Sequence, residues 1–481
     1  MNYQTVIGLE VHIQLKTKSK LFSSAPTTFG ANPNSQANLV DLAYPGTLPV
    51  LNREAVEQAI VFGLAINAHI EKNTFFARKN YFYPDLPKGY QTSQSDKPIV
   101  GNGTFHFNVD DQKHSVHIVR AHLEEDAGKS LHDFLPNSSA IDLNRAGCPL
   151  LEIVTAPDFS NAKEVVAYLK TLHRLVKMLD ICDGNMQEGS FRVDVNLSLK
   201  PIGSDKLGTR CEIKNINSFR FIEKAIEYET QRQAEILDAG GKVRQQTRLF
   251  QESTGQTIAM RDKEDSHDYR YFPCPDLKPL EITSEWIERI RNTRKIVSIE
   301  QVEKQLIEEY GLPAKETSFF LDNTQWLSYL NDARSHLTQP ETSSKALANF
   351  VLSECIGLLN KNNQTFEDFK AQPKDLAQII NRLSDQTLSS KTAKQALALI
   401  MEGHTDVDAL IQQHNLKQVS DVNALSQAID AVILKFPSQF QEFLSGKDKI
   451  LGFLVGQVMK ETKGTGDPAQ IDRLFREKLN S

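Results

Sequence analysis

Polar and apolar residues alternate at the start of the chain: in IGLEVHIQL, Ile7, Leu9, Val11 and Ile13 fall on one side and Glu10, His12 and Gln14 on the other. A period of two predicts a strand with one dry and one polar face. The same rhythm sets Arg120, His122 and Glu124 against Val119, Ala121 and Leu123, and places Glu152 between Leu151 and Ile153. In GSFRVDVNLSLKP, Arg192, Asp194, Asn196 and Ser198 alternate with Phe191, Val193, Val195, Leu197 and Leu199. In TRCEIKN, Arg210, Glu212 and Lys214 flank Cys211 and Ile213. Between the strands, helical spacing begins after Ser160, with Ala162, Val165, Val166, Leu169, Leu172, Val176 and Leu179 on one face. A second helix is predicted after Ser218, carrying Phe221, Ile222, Ala225 and Ile226. Strands grouped with a few helices, without a regular βαβ rhythm, indicate an α+β domain.

Beyond about residue 284 the pattern is helical throughout. Ser298-Ile299-Glu300-Gln301 reads as a capping box, and Gly311 followed by Pro313 as a helix stop. Further helical stretches surround Ala346–Leu359, Leu376–Leu383 and Lys391–Met401, with a break at Gly403-His404-Thr405-Asp406. The expected division is a domain at 1–290, an all-α domain at 291–404 and a small all-α tail at 405–481.

Composition narrows the class. The 481 residues exceed one ordinary core. A net charge of −6 gives no global nucleic-acid signature, so any tRNA or DNA contact must come from a local patch. Five scattered cysteines, none spaced as CxxC, fit a reducing cytoplasm better than a disulfide framework. No signal-peptide pattern opens the chain, and no apolar run approaches the ~20 residues of a membrane helix. The expectation is a cytoplasmic protein with no membrane contact.

The polar strand faces carry the candidate chemistry. They are rich in Glu, Asp, His and Arg and poor in the Thr that suits an exposed strand. Two carboxylates ~4 Å apart repel by about 4 kcal/mol at an effective dielectric near 20, so a cluster of them needs a cation. Hard oxygen ligands with one imidazole favour Mg²⁺ over zinc, and arginines suit phosphate. A merely wet outer sheet face is the plain alternative for any single strand. The chain contains no GxxxxGK[ST], no GxGxxG after a strand and no GxSxG. If the chain is an enzyme, these absences favour metal-assisted phosphoryl transfer, which needs positioning and charge neutralisation, over covalent catalysis by a protein nucleophile.

Eight motifs in order, IGLEVHIQL, LAYPGTLPVLN, RKNYFYPDLPKGYQTSQ, HLEEDAGKS, DLNRAGCPLLEIV, MQEGSFRVDVNLSL, GTRCEIKNINSFRFIEKAIEYE and DYRYFPCPDL, resemble the B-subunit family of the glutamyl/aspartyl-tRNA amidotransferases. FLVGQVMKETKG and DPAQIDRLFREKL resemble that family's tail. The resemblance implies a glutamine-synthetase-like cradle with a mainly antiparallel sheet, then a helical domain and a helical tail. It implies that ATP phosphorylates the side-chain carboxylate of Glu or Asp esterified to tRNA(Gln) or tRNA(Asn), and that ammonia displaces the phosphate. The ammonia would come from a partner glutamine amidase subunit through a tunnel, and a small third subunit would complete and brace a heterotrimer.

Carried onto this chain, the family pattern makes Glu10, His12, Glu125 and Glu152 the leading catalytic and Mg²⁺-ligand candidates. Glu124, Asp194 and Glu212 come second. Alternation favours Glu124 over Glu125, whereas the family motif includes both. Arg192, Arg210 and Lys214 are expected at the ATP phosphates, a salt-bridge ladder with the acids being their alternative. Lys79, Tyr81, Tyr83, Lys88 and Tyr90 are expected beside the acceptor end or tunnel mouth, with loop packing the alternative for the tyrosines. Lys460 and Lys463 lie in a tail with seven Lys/Arg against five Asp/Glu from 446 to 481 and are expected to contact tRNA, though a solvated helix end explains them too. Some family members hold zinc with paired cysteines early in the chain. KLFSSAPTTFGANPNSQANLVDLAYPG has none, so zinc is not expected. Cys274 and Ala156 stand where the family commonly has Glu. A non-catalytic tRNA-binding scaffold and a free-standing ATP-using ligase are the competing readings.

Overall fold

The computed structural model describes residues 3–110, 112–135, 138–262, 269–404, 406–418, 422–462 and 464–479. They form two compact units, 1–299 and 300–481.

The first unit is built on an eight-stranded sheet. Its strands are β1 (Tyr3–Gln14), β4 (Gly103–Val109), β5 (Gln112–Glu125), β6 (Pro149–Thr155), β7 (Phe191–Pro201), β8 (Cys211–Ile216), β9 (Gln246–Gln251) and β10 (Gln256–Asp262). The small strands β2 (Ala77–Asn80), β3 (Tyr90–Ser93) and β11 (Phe272–Pro273) make a separate three-stranded sheet in the order β11-β2-β3. The large sheet runs β10-β9-β8-β7-β1-β6-β5-β4. Every neighbouring pair is antiparallel except β8 and β9.

Helices α1 (Arg53–Ala65), α2 (Ala162–Met178) and α3 (Phe219–Asp238) cover the apolar face. Ile7, Leu9, Val11 and Ile13 from β1 are fully buried there with Leu151, Ile153, Val193, Val195, Tyr168, Leu172 and Ile222. This burial fixes register, because a one-residue slip would turn the apolar set outward. The opposite, polar face is thereby set as well. Asn161 caps α2 by accepting from the Glu164 N–H, one residue later than Ser160, whose hydroxyl is engaged by Glu164 instead. Ser218 caps α3.

Val119 departs from the alternation. It is 41% exposed, because the β5–β6 register shifts between Ile118 and Arg120 and leaves it in a bulge. One extra residue here keeps Arg120, His122 and Glu124 on the polar face. Helix α4 (Ser284–Thr293) packs on α1.

The second unit is helical, opening with α5 (Ile299–Glu308), which is followed by Gly311 at φ +60°. Within it, residues 425–475 gather a cluster of Leu425, Ile429, Val432, Phe443, Leu454, Val458, Ile471 and Phe475. The α+β reading of the N-terminal part and the all-α reading of the remainder both hold. No described helix is long and apolar enough to cross a membrane.

Candidate active site

Strand register brings the polar residues together. β1 lies between β6 and β7, so His12 stands opposite Glu152 on one side and Arg192 on the other. One pleat along, Glu10 stands opposite Val154 and Asp194. His122 on β5 extends the first row opposite Glu152, and Asn196 on β7 pairs with Glu212 on β8. Directly opposed side chains sit only ~5 Å apart at Cβ, so five strands assemble two tight clusters.

In the first cluster, His12 Nε2 lies 3.5 Å from Glu124 Oε1 and 3.5 Å from Glu152 Oε2. His122 Nε2 lies 3.1 Å from Glu152 Oε2 and 3.8 Å from Glu124 Oε2. In the second, Glu10, Asp194 and Glu212 converge, with Asn196 donating to Glu10 at 3.1 Å and Thr247 donating to Glu212 at 2.9 Å. Each triad, His12–Glu124–Glu152 and Glu10–Asp194–Glu212, offers three ligand atoms within 4.8 Å of one another.

The electrostatics follow from crowding. Burial disfavours imidazolium, yet Glu152, Glu124 and Asp194 outweigh it and raise His12; similar neighbours push His122 up to about 9. Burial raises the Glu152 carboxyl, but the two histidines pull it well below its usual range. Burial and the Glu152 and Asp194 charges raise Glu10. A cation at the first triad would need the neutral ring and so competes with a proton. Carboxylates with a single imidazole are a donor set that fits Mg²⁺. Among the described residues, buried His122 Nδ1 has no hydrogen-bond partner.

Both triads line a cavity of 690 Å³ whose cationic groups are Lys79, Arg120, Arg145, Arg192, Arg210 and Lys214. Arg192 binds Asp126 at 2.7 Å, Arg145 lies 3.5 Å from the same carboxylate, and Lys214 pairs with Asp194 and Glu212. A second cavity of 540 Å³ shares Glu10, Asn196 and Arg210 with the first, and its other walls mix apolar Val6, Leu9, Val154, Pro157 and Leu207 with polar Thr155, Ser198, Thr209 and Gln245.

The structure does not bring every expected residue to this cavity. Glu125 points the other way, held by Lys88 and by the Thr92 N–H at 2.8 Å, and Glu124 takes the position beside His12. The regular pleat continues to the end of β5, so adjacent residues cannot share a face. Lys79 and Tyr81 line the cavity. Tyr90 lies instead under the Arg78 guanidinium, 4.1 Å from its ring centroid. Tyr83 is exposed, and Lys88 is committed to Glu125. Lys460 is exposed in the last turn of a helix at Leu451–Glu461, and Lys463 lies outside the described residues.

Two family models match the chain: the GatB/GatE catalytic domain over residues 5–288 and the GatB domain over 335–479. The chain belongs to the amidotransferase B-subunit family. The aspartyl/glutamyl-tRNA(Asn/Gln) amidotransferase B subunit of Thioalkalivibrio sulfidiphilus (strain HL-EbGR7) is 50% identical over 480 residues, covering 100% of both chains. The B subunits of the same amidotransferase from Methylobacillus flagellatus and Francisella tularensis subsp. novicida are 49% and 48% identical, also over the full length of both chains. Both triads fall inside the matched catalytic domain of this B-subunit family member.

Sequence reasoning left His122 outside the site set, although its place between Arg120 and Glu124 on one strand face was visible. It also missed Tyr269 and Tyr271, which line the cavity from a segment with no periodic signal.

Proposed function

We propose that this chain is the ATP-using subunit of a glutamine-hydrolysing, tRNA-dependent amidotransferase, a carbon–nitrogen ligase. It would phosphorylate the side-chain carboxylate of Glu or Asp on mischarged tRNA(Gln) or tRNA(Asn) and convert it to the amide with ammonia from a partner amidase. The observation that carries this reading is the pair of acid triads sharing one cavity with Arg192, Arg210 and Lys214.

The chemistry divides among the residues. The carboxylate oxygen of the substrate attacks the γ-phosphorus and the bond to ADP breaks. Ammonia nitrogen then attacks the acyl carbon, the bond to phosphate breaks, and nitrogen loses a proton. Glu10, Asp194 and Glu212, and His12, Glu124 and Glu152, would hold Mg²⁺, which when bound neutralises phosphate charge. Arg192, Arg210 and Lys214 hold phosphate oxygens by charge-assisted hydrogen bonds. The 540 Å³ cavity beside Arg210, with apolar Val6, Leu9 and Val154 and polar Thr155, Ser198, Thr209 and Gln245 in its walls, suits the nucleoside.

The assembly in this reading adds an amidase subunit, a small third subunit and tRNA. Residues 405–481 serve as the tRNA-binding tail, 291–404 as the connecting helical domain, and the cytoplasm is the compartment. The test is amide formation on Glu-tRNA(Gln) and Asp-tRNA(Asn) by the reconstituted complex, with glutamine or ammonium as nitrogen source. Amide that depends on ATP from either source is the expected result. ATP-independent amidation, or none with either tRNA, would overturn the reading.

A further inference from the structure

The small β11-β2-β3 sheet delivers one side chain that the ligand and phosphate assignments leave unused. Along β2 the pleat separates Arg78 from Lys79. Arg78 is spent on structure, pairing with Asp276 and lying over the Tyr90 and Phe272 rings. Lys79 faces the cavity. Its ammonium sits 5.0 Å from the centroid of Tyr269, which packs edge-on against Tyr81 at 6.2 Å and Tyr271 at 5.9 Å. Tyr81 is itself fixed by its hydroxyl, 3.3 Å from Gln91 Oε1. An aromatic wall thus holds the lysine by cation–π attraction, with its donors directed at no fixed carboxylate.

Lys79 differs here from Arg192 and Lys214, which are occupied by Asp126, Asp194 and Glu212. Among the described residues, Lys79 forms no ion pair. Burial works against its charge, but Glu124, Tyr271 and Glu152 outweigh that and raise its pKa, so the ammonium stays protonated at neutral pH. An uncommitted, desolvated cation of this kind is a docking point for an anion.

The position selects the anion. Lys79 and Glu124, on β5, line only the first cavity, whereas Arg210 also lines the second, which is built from β1, β6, β7 and the segment before β8. Among the described residues, none of β5 or of the small sheet lines that second cavity. A nucleotide with its nucleoside in the second cavity enters the first past Glu10, Asn196 and Arg210, which both cavities share, with its γ-phosphate leading. The group that meets that phosphate from the Lys79 side is the nucleophile.

We propose that Lys79 is a catalytic residue that binds the side-chain carboxylate of the aminoacyl ester. It donates to the oxygen that is not phosphorylated and keeps that hydrogen bond when ammonia adds and the oxygen becomes the tetrahedral oxyanion. The lysine transfers no proton; its charge is matched to an anion in both steps. This rests on the function proposed above. It differs from a role at the tunnel mouth, where Lys79 would act on ammonia rather than on the carboxylate.

The experiment compares wild-type, Lys79→Met, Lys79→Gln and Lys79→Arg chains in the reconstituted complex. It measures ATP hydrolysis stimulated by mischarged tRNA, amidation with glutamine and with excess ammonium chloride, and Mg²⁺–ATP binding by calorimetry. Removing one preorganised oxyanion donor costs about 100-fold or more. Both neutral variants are therefore expected to lose about 100-fold in amidation and in tRNA-stimulated hydrolysis, to bind Mg²⁺–ATP as wild type does, and to gain nothing from ammonium. Lys79→Arg is expected to recover part of the loss. Rescue of Lys79→Met by ammonium would reassign Lys79 to ammonia delivery and overturn the proposal. So would near-normal activity of either neutral variant, or loss of Mg²⁺–ATP binding in both. A wild-type complex whose ATP hydrolysis ignores mischarged tRNA would instead sink the parent reading, and the assignment of Lys79 with it.

Discussion

Glu124 and Glu125 are consecutive on one strand, and their carboxylates face opposite ways: Glu124 lies 3.5 Å from His12 Nε2, while Glu125 is held by Lys88 and the Thr92 N–H. The first belongs to the acid triad; the second ties the small sheet to the edge of the large one.

The two glutamates should therefore fail differently. Glu124→Gln removes a carboxylate held charged by His122, Lys79 and His12 and should weaken Mg²⁺-dependent activity by about tenfold or more, with a smaller loss of stability than the change at Glu125. Glu125→Gln leaves the Lys88 ammonium, 13% exposed, without its counter-charge and should cost about 2–4 kcal/mol of stability. Parallel melting curves and Mg²⁺ titrations of the two variants check this. Equal loss of stability in both would contradict the division.

Acid should loosen the contact between α1 and α4 within a defined range. Burial alone would raise the Glu57 carboxyl of α1, but hydrogen bonds from Arg289, Trp286, Arg294 and Arg53 outweigh it and bring it to about 2. A depressed folded-state pKa contributes stability that is complete above the unfolded value near 4.5 and is lost as pH falls toward 2. The arginine partners are partly exposed, so screening reduces the contribution to about 2 kcal/mol at pH 7. Glu57→Gln should be less stable than wild type by about that amount at pH 7, with the gap closing between about pH 5 and pH 2. Denaturant midpoints across that range measure it; a gap independent of pH would refute it.

How much of this was legible in the sequence depends on the signal each residue left. Alternation in β1, β6, β7 and β8 was enough to put Glu10, His12, Glu152, Asp194 and Glu212 on polar faces, because a buried apolar partner face fixes register. It could not say which strands were neighbours, so the split into two triads was hidden. The bulge at Val119 left no mark in the pattern, since a valine at that position reads as core. Glu125 was advanced by motif resemblance against the alternation, and the structure follows the alternation. Tyr269 and Tyr271 reach the cavity from a short irregular segment, where neither period applies.

The loop leading into α1 depends on one buried ion pair. Lys20, fully buried, donates to Asp41 at 3.2 Å and to the Leu143 carbonyl at 3.2 Å, and Asp41 also accepts from the Ser23 hydroxyl and the Asn38 N–H. Lys20→Met strands a buried carboxylate and should cost about 3–5 kcal/mol, read as a lowered denaturant midpoint. Gly147→Ala should destabilise the same corner, because φ is +84° and an added Cβ would stand 2.8 Å from Asp41 Oδ1. Wild-type stability in both variants would show that this corner does not hold the loop.

Above all, the polar sheet face is proposed to bind Mg²⁺–ATP through both triads. Calorimetric titration of Mg²⁺–ATP into the assembled wild-type complex and into His12→Ala and Asp194→Asn complexes tests this most directly. Saturable binding by wild type, weakened about tenfold or more in each variant at similar thermal midpoints, is the predicted result. No binding by wild type, or equal affinity in all three, would make the acids structural and the chain a scaffold.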